Sequence, residues 1–403
     1  MKVNKKLTWV ALVATLLLVI TGCSPNQQEI FNAALKTQNA KSMQAHTTMT
    51  VQLSGSDFEP TVQKQFDQAA LFINNAKLDL NTETNSNEQK TASQSQIDMN
   101  LAMQGMNISV PLWVDSDLTG NTPKITEIIK VPAIAKVSLP SQFASKEYMV
   151  ISPSNMSNAP LGNLDTTELM NFSKTIQAAE TNFLMSYAQR FNPLPDALDN
   201  GIQSLQTDDG LKPARIYEIT LNDAQFKEFI RYTVNNFVQD PEAMNFVKTF
   251  MDSILSLTQT PDKAKSLSDF DQAFSTFNSN RTQFLATFNT AMDQLKDVPI
   301  LGDKGIDLKY AISGGNLVQK SGTIDLKVDL AQINALANSL NGQPNATVDA
   351  KGNFNLTFTF QTDISSINSP LSIQIPTVTS DNSFDYMDLM KTAPTPSTQT
   401  LHK

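Results

Sequence analysis

Long stretches of this chain alternate apolar and polar residues with a strict period of two, which restricts the fold more than any other feature. Met49, Val51 and Leu53 begin the pattern after Thr47. Leu78 and Leu80 follow, then Ile97, Met99, Leu101 and Met103, then Ile108, Val110, Leu112 and Val114. Near the other end stand Ile306, Leu308, Tyr310 and Ile312, then Ile324, Leu326, Val328 and Leu330, then Phe354, Leu356, Phe358 and Phe360, and last Leu371, Ile373 and Ile375 before Pro376. A strand of this kind has one dry and one wet face, as in antiparallel sheets. Gln104-Gly105-Met106-Asn107 and Gly314-Gly315-Asn316 supply hairpin turns between successive runs. Residues 125–131 and 148–151 read as further strands. Strands that follow one another without intervening helices argue against the doubly wound sheet of a transporter's solute-binding component.

The middle of the chain changes period. A short helix is expected from Ile30 to about Ala40, with Ala33, Ala34 and Leu35 inward, and another over 57–73. Residues 164–191 carry Ile176, Ala179, Phe183 and Tyr187 on one stripe, which Leu194-Pro195 breaks. Residues 216–221 read as a strand that delivers Asn222 as the cap of a helix bearing Phe226, Ile230, Val234 and Phe237. Pro241 starts the next helix, with Met244, Val247, Phe250 or Met251, and Ile254 inward. A single helix over 266–296 then presents Leu267, Phe270, Phe274, Phe277, Phe284, Phe288, Met292 and Leu295. The body thus divides into a helix and strands over 30–160, a mainly helical middle over 161–300 and strands over 301–390. A Thr/Pro/Ser-rich tail, expected to be disordered, occupies 391–403.

The N-terminus carries its own signal. Lys2, Lys5 and Lys6 precede an apolar run from Leu7 to Ile20, and Ile20-Thr21-Gly22-Cys23 closes it. As helix, that run rises about 21 Å, short of a hydrocarbon core of about 30 Å. The order resembles the lipobox of bacterial lipoproteins. The resemblance implies a signal peptide over 1–22, cleavage between Gly22 and Cys23, and diacylglyceryl attachment to the Cys23 sulfur. The mature protein would then be anchored to the cell membrane on its extracytoplasmic side, with 23–29 as the acylated cysteine and a polar spacer.

Removing 1–22 leaves 27 basic and 39 acidic residues, a formal charge of −12. An acidic surface repels phosphate backbones, so nucleic acid is excluded as a partner. Cys23 is the only cysteine, and on this reading it is committed to the anchor, leaving no disulfide and no catalytic thiol. Only His46 and His402 are present. A histidine-rich metal site is therefore not expected, and a Ser-His-Asp arrangement would rest on His46, read as an exposed residue opening the first strand. No glycine-rich phosphate loop of the familiar spacings occurs. Asp115-Ser116-Asp117 and Asp208-Asp209-Gly210 read as turn formers without the ligand spacing of a calcium loop. We expect no catalytic residues, no metal and no cofactor.

Taken in order, the lipobox, short helix, alternating strands, helical middle and closing strands that end in Ile373 to Pro376 resemble the LolA/LppX-like lipoproteins. The resemblance is one of pattern over roughly 30–376, in a chain about twice the usual length. It implies an α+β fold in which a curved antiparallel sheet forms an incomplete β-barrel, with amphipathic helices packed on its concave face and acyl chains held between. Phe and Met are abundant, and both suit apolar ligands: Phe brings large area without a polar group, Met an adaptable shape. The expected pocket sets Met99 and Met103 on the sheet opposite Phe274, Phe277, Phe284 and Phe288. The leading expectation is a non-enzymatic lipoprotein that binds or carries an apolar ligand. The alternative is a structural or interaction lipoprotein, whose Asn/Gln/Ser/Thr surface meets cell-wall polymer or another envelope protein.

Overall fold

Paired residues with positive φ make the two clearest turns. Gln104 and Gly105 have φ of 43° and 79°, and Gly314 and Gly315 have 58° and 75°. Two successive positive φ values give a turn whose twist matches the flanking strands, and glycine adopts them without steric cost. The computed structural model describes residues 24–119, 124–152, 183, 186–187, 190–191, 196–257, 263–340 and 351–392.

Among these residues lie twelve strands: β1 (Ser42–Ser56), β2 (Lys77–Ser86), β3 (Ala92–Met103), β4 (Met106–Asp117), β5 (Lys124–Lys130), β6 (Tyr148–Ile151), β7 (Leu198–Thr207), β8 (Gly210–Leu221), β9 (Leu301–Ser313), β10 (Asn316–Asp329), β11 (Asn353–Ser365) and β12 (Ser383–Asp385). They form a single sheet in the order β12-β6-β5-β4-β3-β2-β1-β11-β10-β9-β8-β7. Every neighbouring pair is antiparallel except β12 on β6, which is parallel. The sheet is curved and open, not closed into a barrel. Strand β1 pairs with β11 next to its midline, so the N-terminal and C-terminal strand regions share one sheet.

Ten α-helices accompany the strands among the described residues. In chain order they are α1 (Pro25–Gln38), α2 (Pro60–Ile73), α3 (Ala133–Lys136), α4 (Ser141–Ala144), α5 (Asp223–Gln239), α6 (Pro241–Leu257), α7 (Lys263–Ser279), α8 (Arg281–Gln294), α9 (Leu330–Leu340) and α10 (Tyr386–Thr392). The first begins earlier than expected. Ser24 caps it, and Ser24 and Gln27 satisfy each other's backbone N–H in a capping box. Residues 25–29, read above as spacer, are therefore its first turn, while Lys391 and Thr392 of the expected tail end α10. Asn222 caps α5 as the sequence indicated, again in a capping box, with Gln225.

The expected single helix over 266–296 is two. The chain breaks at Asn280, whose φ and ψ of −109° and 15° lie outside the helix. Phe277 and Phe284 meet edge-on with ring centroids 5.2 Å apart. Seven residues along one straight helix would rise about 10 Å, so the reversal at Asn280 is what brings these rings together.

Two smaller expectations also change. Leu371, Ile373 and Ile375 form no strand: Ile373 is buried against Trp113 and Ile128 while Ser372 and Gln374 stay exposed, so this segment is held by side chains rather than by a ladder. Pro370 and Pro376, which have no N–H to donate, bound it. Asp115 to Asp117, read as a turn, are the last residues of β4 and pair with Lys124 to Thr126. The helix expected over 164–191 falls largely outside the described residues; Phe183, Ser186, Tyr187 and Arg190 are helical.

The largest apolar cluster is helical. Phe183, Tyr187, Val234, Phe237, Val238, Met244, Phe246, Val247, Phe270, Phe274 and Leu285 are buried together, with Phe277, Phe284 and Phe288 packed on them. Tyr187 is fully buried, and among the described residues its hydroxyl has no hydrogen-bond partner. Burial and the nearby Asp240 carboxylate both push its pKa well above the ordinary tyrosine value. An unpaired buried hydroxyl costs about 1–3 kcal/mol, so Tyr187→Phe is expected to raise stability by about 1 kcal/mol in urea denaturation. A lower denaturation midpoint would show that the hydroxyl has a partner.

Candidate functional site: the two faces of the sheet

The ladder registers assign every strand residue to a face. On one face a row crosses eight strands, from Ile108 through Leu101, Leu78, Met49, Phe360, Gly322 and Leu308 to Ile219. At about 4.8 Å per strand it is about 34 Å wide. Every side chain in the row is apolar. Gly322 is required there, because a Cβ would stand 2.7 Å from Leu308 Cδ2 and 3.0 Å from Phe360 Cε1. Val51, Phe358, Ile324 and Ile306 form a second such row over four strands.

Three helices lie against this apolar face. Ile30 and Ala33 of α1 are buried with Tyr217, Ile219, Ile312 and Ile364. The Tyr217 hydroxyl donates to Glu29 Oε2 at 2.6 Å, and burial first, then that bond, push its pKa to about 12. Phe66 of α2 meets Phe354 with ring centroids 6.4 Å apart. Phe226 of α5 packs on Leu221, Leu301 and Ile306.

The expected pocket is not assembled as drawn. Phe274, Phe277, Phe284 and Phe288 come together, but in the helical cluster of α5 to α8, to which neither methionine belongs. Met99 and Met103 lie on β3, on the apolar face, where Met99 pairs with Leu80 and Val110 and Met103 with Met106. Met99 is 40% exposed and Met106 43%, while Met49, Leu78, Leu80, Leu101 and Phe360 are only half-buried. The apolar floor between the helices is thus partly open among the described residues. Gly22 and Cys23 lie outside the described residues.

The opposite face is polar throughout its centre. Thr50, Thr359, Thr323 and Asp307 sit side by side on β1, β11, β10 and β9, next to a row of Thr48, Gln361, Ser321 and Lys309. These rows line a depression of about 520 Å³. A second depression, of about 410 Å³, continues along the same strands past Gln52, Thr357 and Asp325. The strand β10 changes register twice here, between Leu317 and Gln319 and between Ile324 and Leu326, and such bulges bend a strand and sharpen its twist.

His46 stands at one end of the larger depression, inside β1 rather than at its start. Its Nε2 is 3.7 Å from Asp79 Oδ1. Asp79 also takes Lys77 at 3.0 Å and the Thr48 hydroxyl at 2.9 Å. Burial raises the Asp79 pKa, but these hydrogen bonds and charges outweigh it and hold the carboxyl below its ordinary value. Thr48 donates to the carboxylate, not to the imidazole, so the group lacks the hydroxyl-to-imidazole contact of a nucleophilic triad. Lys309 lies 3.3 Å from Glu218 and 3.7 Å from Asp307, and the bond to Glu218 leads the effects that raise its pKa.

Among the described residues, no three His, Cys, Asp or Glu side chains are placed to hold a metal ion. No described helix is long and apolar enough to cross a membrane. The sequence matches no protein-family model and no curated protein.

Proposed function

We propose that the protein is a non-enzymatic lipoprotein, anchored through acylated Cys23 on the extracytoplasmic side of the cell membrane, that holds an apolar ligand between its sheet and helices. The eight-strand apolar row carries this reading. A wide greasy surface left half-open is costly in water, and covering it with hydrocarbon returns about 0.8 kcal/mol per methylene. Met49, Met99, Met103 and Met106 along one part of that face can reshape around a ligand. The floor is then Met49, Leu78, Leu80, Met99 and Leu101, with α1, α2 and α5 as walls. In this arrangement the phenylalanines of α7 and α8 are core rather than lining. The ligand class follows the resemblance to LolA/LppX-like lipoproteins, in which acyl chains lie between sheet and helices.

The test is organic extraction and native mass spectrometry of full-length protein purified from membranes. A co-purifying lipid in near one-to-one ratio is expected, reduced at least tenfold in Leu80→Gln/Met99→Gln, with α-helix and strand content unchanged. Protein that carries no lipid, or a double variant that carries as much as the wild type, would refute the proposal.

A further inference from the structure

We propose that the β7 edge of the sheet rests on the bilayer, with Ile202, Leu211 and Pro213 seated in its headgroup layer. The inference rests on the lipoprotein reading above and goes beyond it, since a tether alone leaves the orientation of the body open.

The first turn of α1 fixes where the tether leaves the body. Asn26 Nδ2 donates to the carbonyl of Ala197, the residue before β7, at 2.8 Å, and Glu29 accepts from the Tyr217 hydroxyl of β8. At the other end of the helix, Lys36 Nζ donates to Gly314 O in the β9–β10 turn at 2.8 Å. The helix therefore crosses the strands with its N-terminus toward β7, which is the edge of the sheet. Ser24 is already the cap of α1, and Cys23 is the residue before it, about 3.8 Å away between Cα atoms. With no spacer between lipid and body, the surface around Ala197 is the one held at the membrane.

That surface offers apolar side chains to a bilayer. Ile202 pairs with Arg215, Ser204 with Pro213 and Gln206 with Leu211, and alternation puts all six on the face of Tyr217, where α1 lies. Ile202 is 73% exposed and Leu211 69%, and Pro213 between them is exposed as well. Leu198, next to Ala197, is 61% exposed. Over residues 196–218 the charged groups are Asp196, Asp199, Asp208, Asp209 and Glu218 against Lys212 and Arg215. Arg215 holds Asp199 and Lys212 holds Asp209, both at 2.7 Å. This edge is net acidic and does not attract anionic headgroups, so its contact is apolar insertion among uncharged ones. Leu71 on α2, 59% exposed, and Val137 after α3, 85% exposed, are apolar surfaces elsewhere. Exposure alone favours Val137, whereas the tether favours Ile202.

The experiment uses full-length acylated protein in phosphatidylcholine liposomes. Cys23 is the only cysteine and carries the lipid, so Ile202→Cys, Leu71→Cys and Val137→Cys each add a single free thiol for a fluorescent label. Brominated phosphatidylcholine quenches labels that lie within the bilayer. Quenching at 202 is expected to exceed that at 71 and 137 by about threefold or more, with or without added phosphatidylglycerol. Equal quenching at the three sites, strongest quenching at 71 or 137, or quenching at 202 only with phosphatidylglycerol would each overturn the proposal. A label at 202 that is shielded from water but untouched by bromine would place a second copy of the chain on this edge and overturn it too. Protein that takes up no palmitate and does not float with liposomes overturns the tether and this inference together; tethered protein with an unquenched label at 202 overturns this inference alone.

Discussion

On the proposed tether, Cys23→Ala moves the protein from the membrane fraction to the soluble one and abolishes incorporation of labelled palmitate. One acyl chain gives only marginal, reversible attachment, whereas two hold a protein durably at about 0.8 kcal/mol per buried methylene. Losing the thioether removes both diacylglyceryl chains at once. Among the described residues, no helix is long and apolar enough to cross a membrane. The body should still fold, because α1 is capped by Ser24 and Gln27 and its Ile30 and Ala33 are buried against the sheet. Fractionation and label counting check both halves. A Cys23→Ala protein that stays with membranes and takes up palmitate as the wild type does would end the lipoprotein reading.

Phe237→Ala is expected to cost about 3–5 kcal/mol in urea denaturation, the range for emptying a buried aromatic site. Phe237 is 2% exposed at the centre of the helical cluster. Its ring meets Phe183 at 6.0 Å and Tyr187 at 5.7 Å, both edge-on, so the substitution removes paired ring contacts as well as volume. Phe237→Leu keeps most of the volume and should cost appreciably less. If the alanine variant instead unfolds within about 1 kcal/mol of wild type, the cluster is looser than its burial indicates. The lipid co-purification proposed above should survive in any folded Phe237 variant, because this cluster is separate from the apolar floor.

Much of the fold was legible where local chemistry decides it. Asn222 followed by Gln225 marks a capping box whatever surrounds it, and both hairpin turns follow from residues that accept positive φ. The break at Asn280 was hidden for a definite reason. Spacings of three and four continue on both sides, and the seven-residue step from Phe277 to Phe284 keeps one helical face, so periodicity cannot tell a straight helix from a hairpin. The strand β7 left almost no pattern, because an edge strand with exposed Leu198 and Ile202 has no dry face to advertise.

The candidate site shows the same limit. Alternation placed Met99 and Met103 on the apolar side of β3, but it says nothing about which helix faces them, and pairing them with Phe277 was a guess about topology. The threonine rows were present in the complementary phase of the alternation, at Thr48, Thr50, Thr357 and Thr359. They become a trough only through the pairing of β1 with β11 and the bulges in β10.

That central pairing governs how the chain can be made. Thr47 and Thr362 share a hydrogen bond across 315 positions, and thirteen residues of β1 find their partners in β11. Until residues 353–365 have been synthesised, β1 and β10 each present a bare edge, a template for self-association. Contacts so distant in sequence also close slowly. Truncation before residue 353 should therefore yield aggregates rather than a half-sheet.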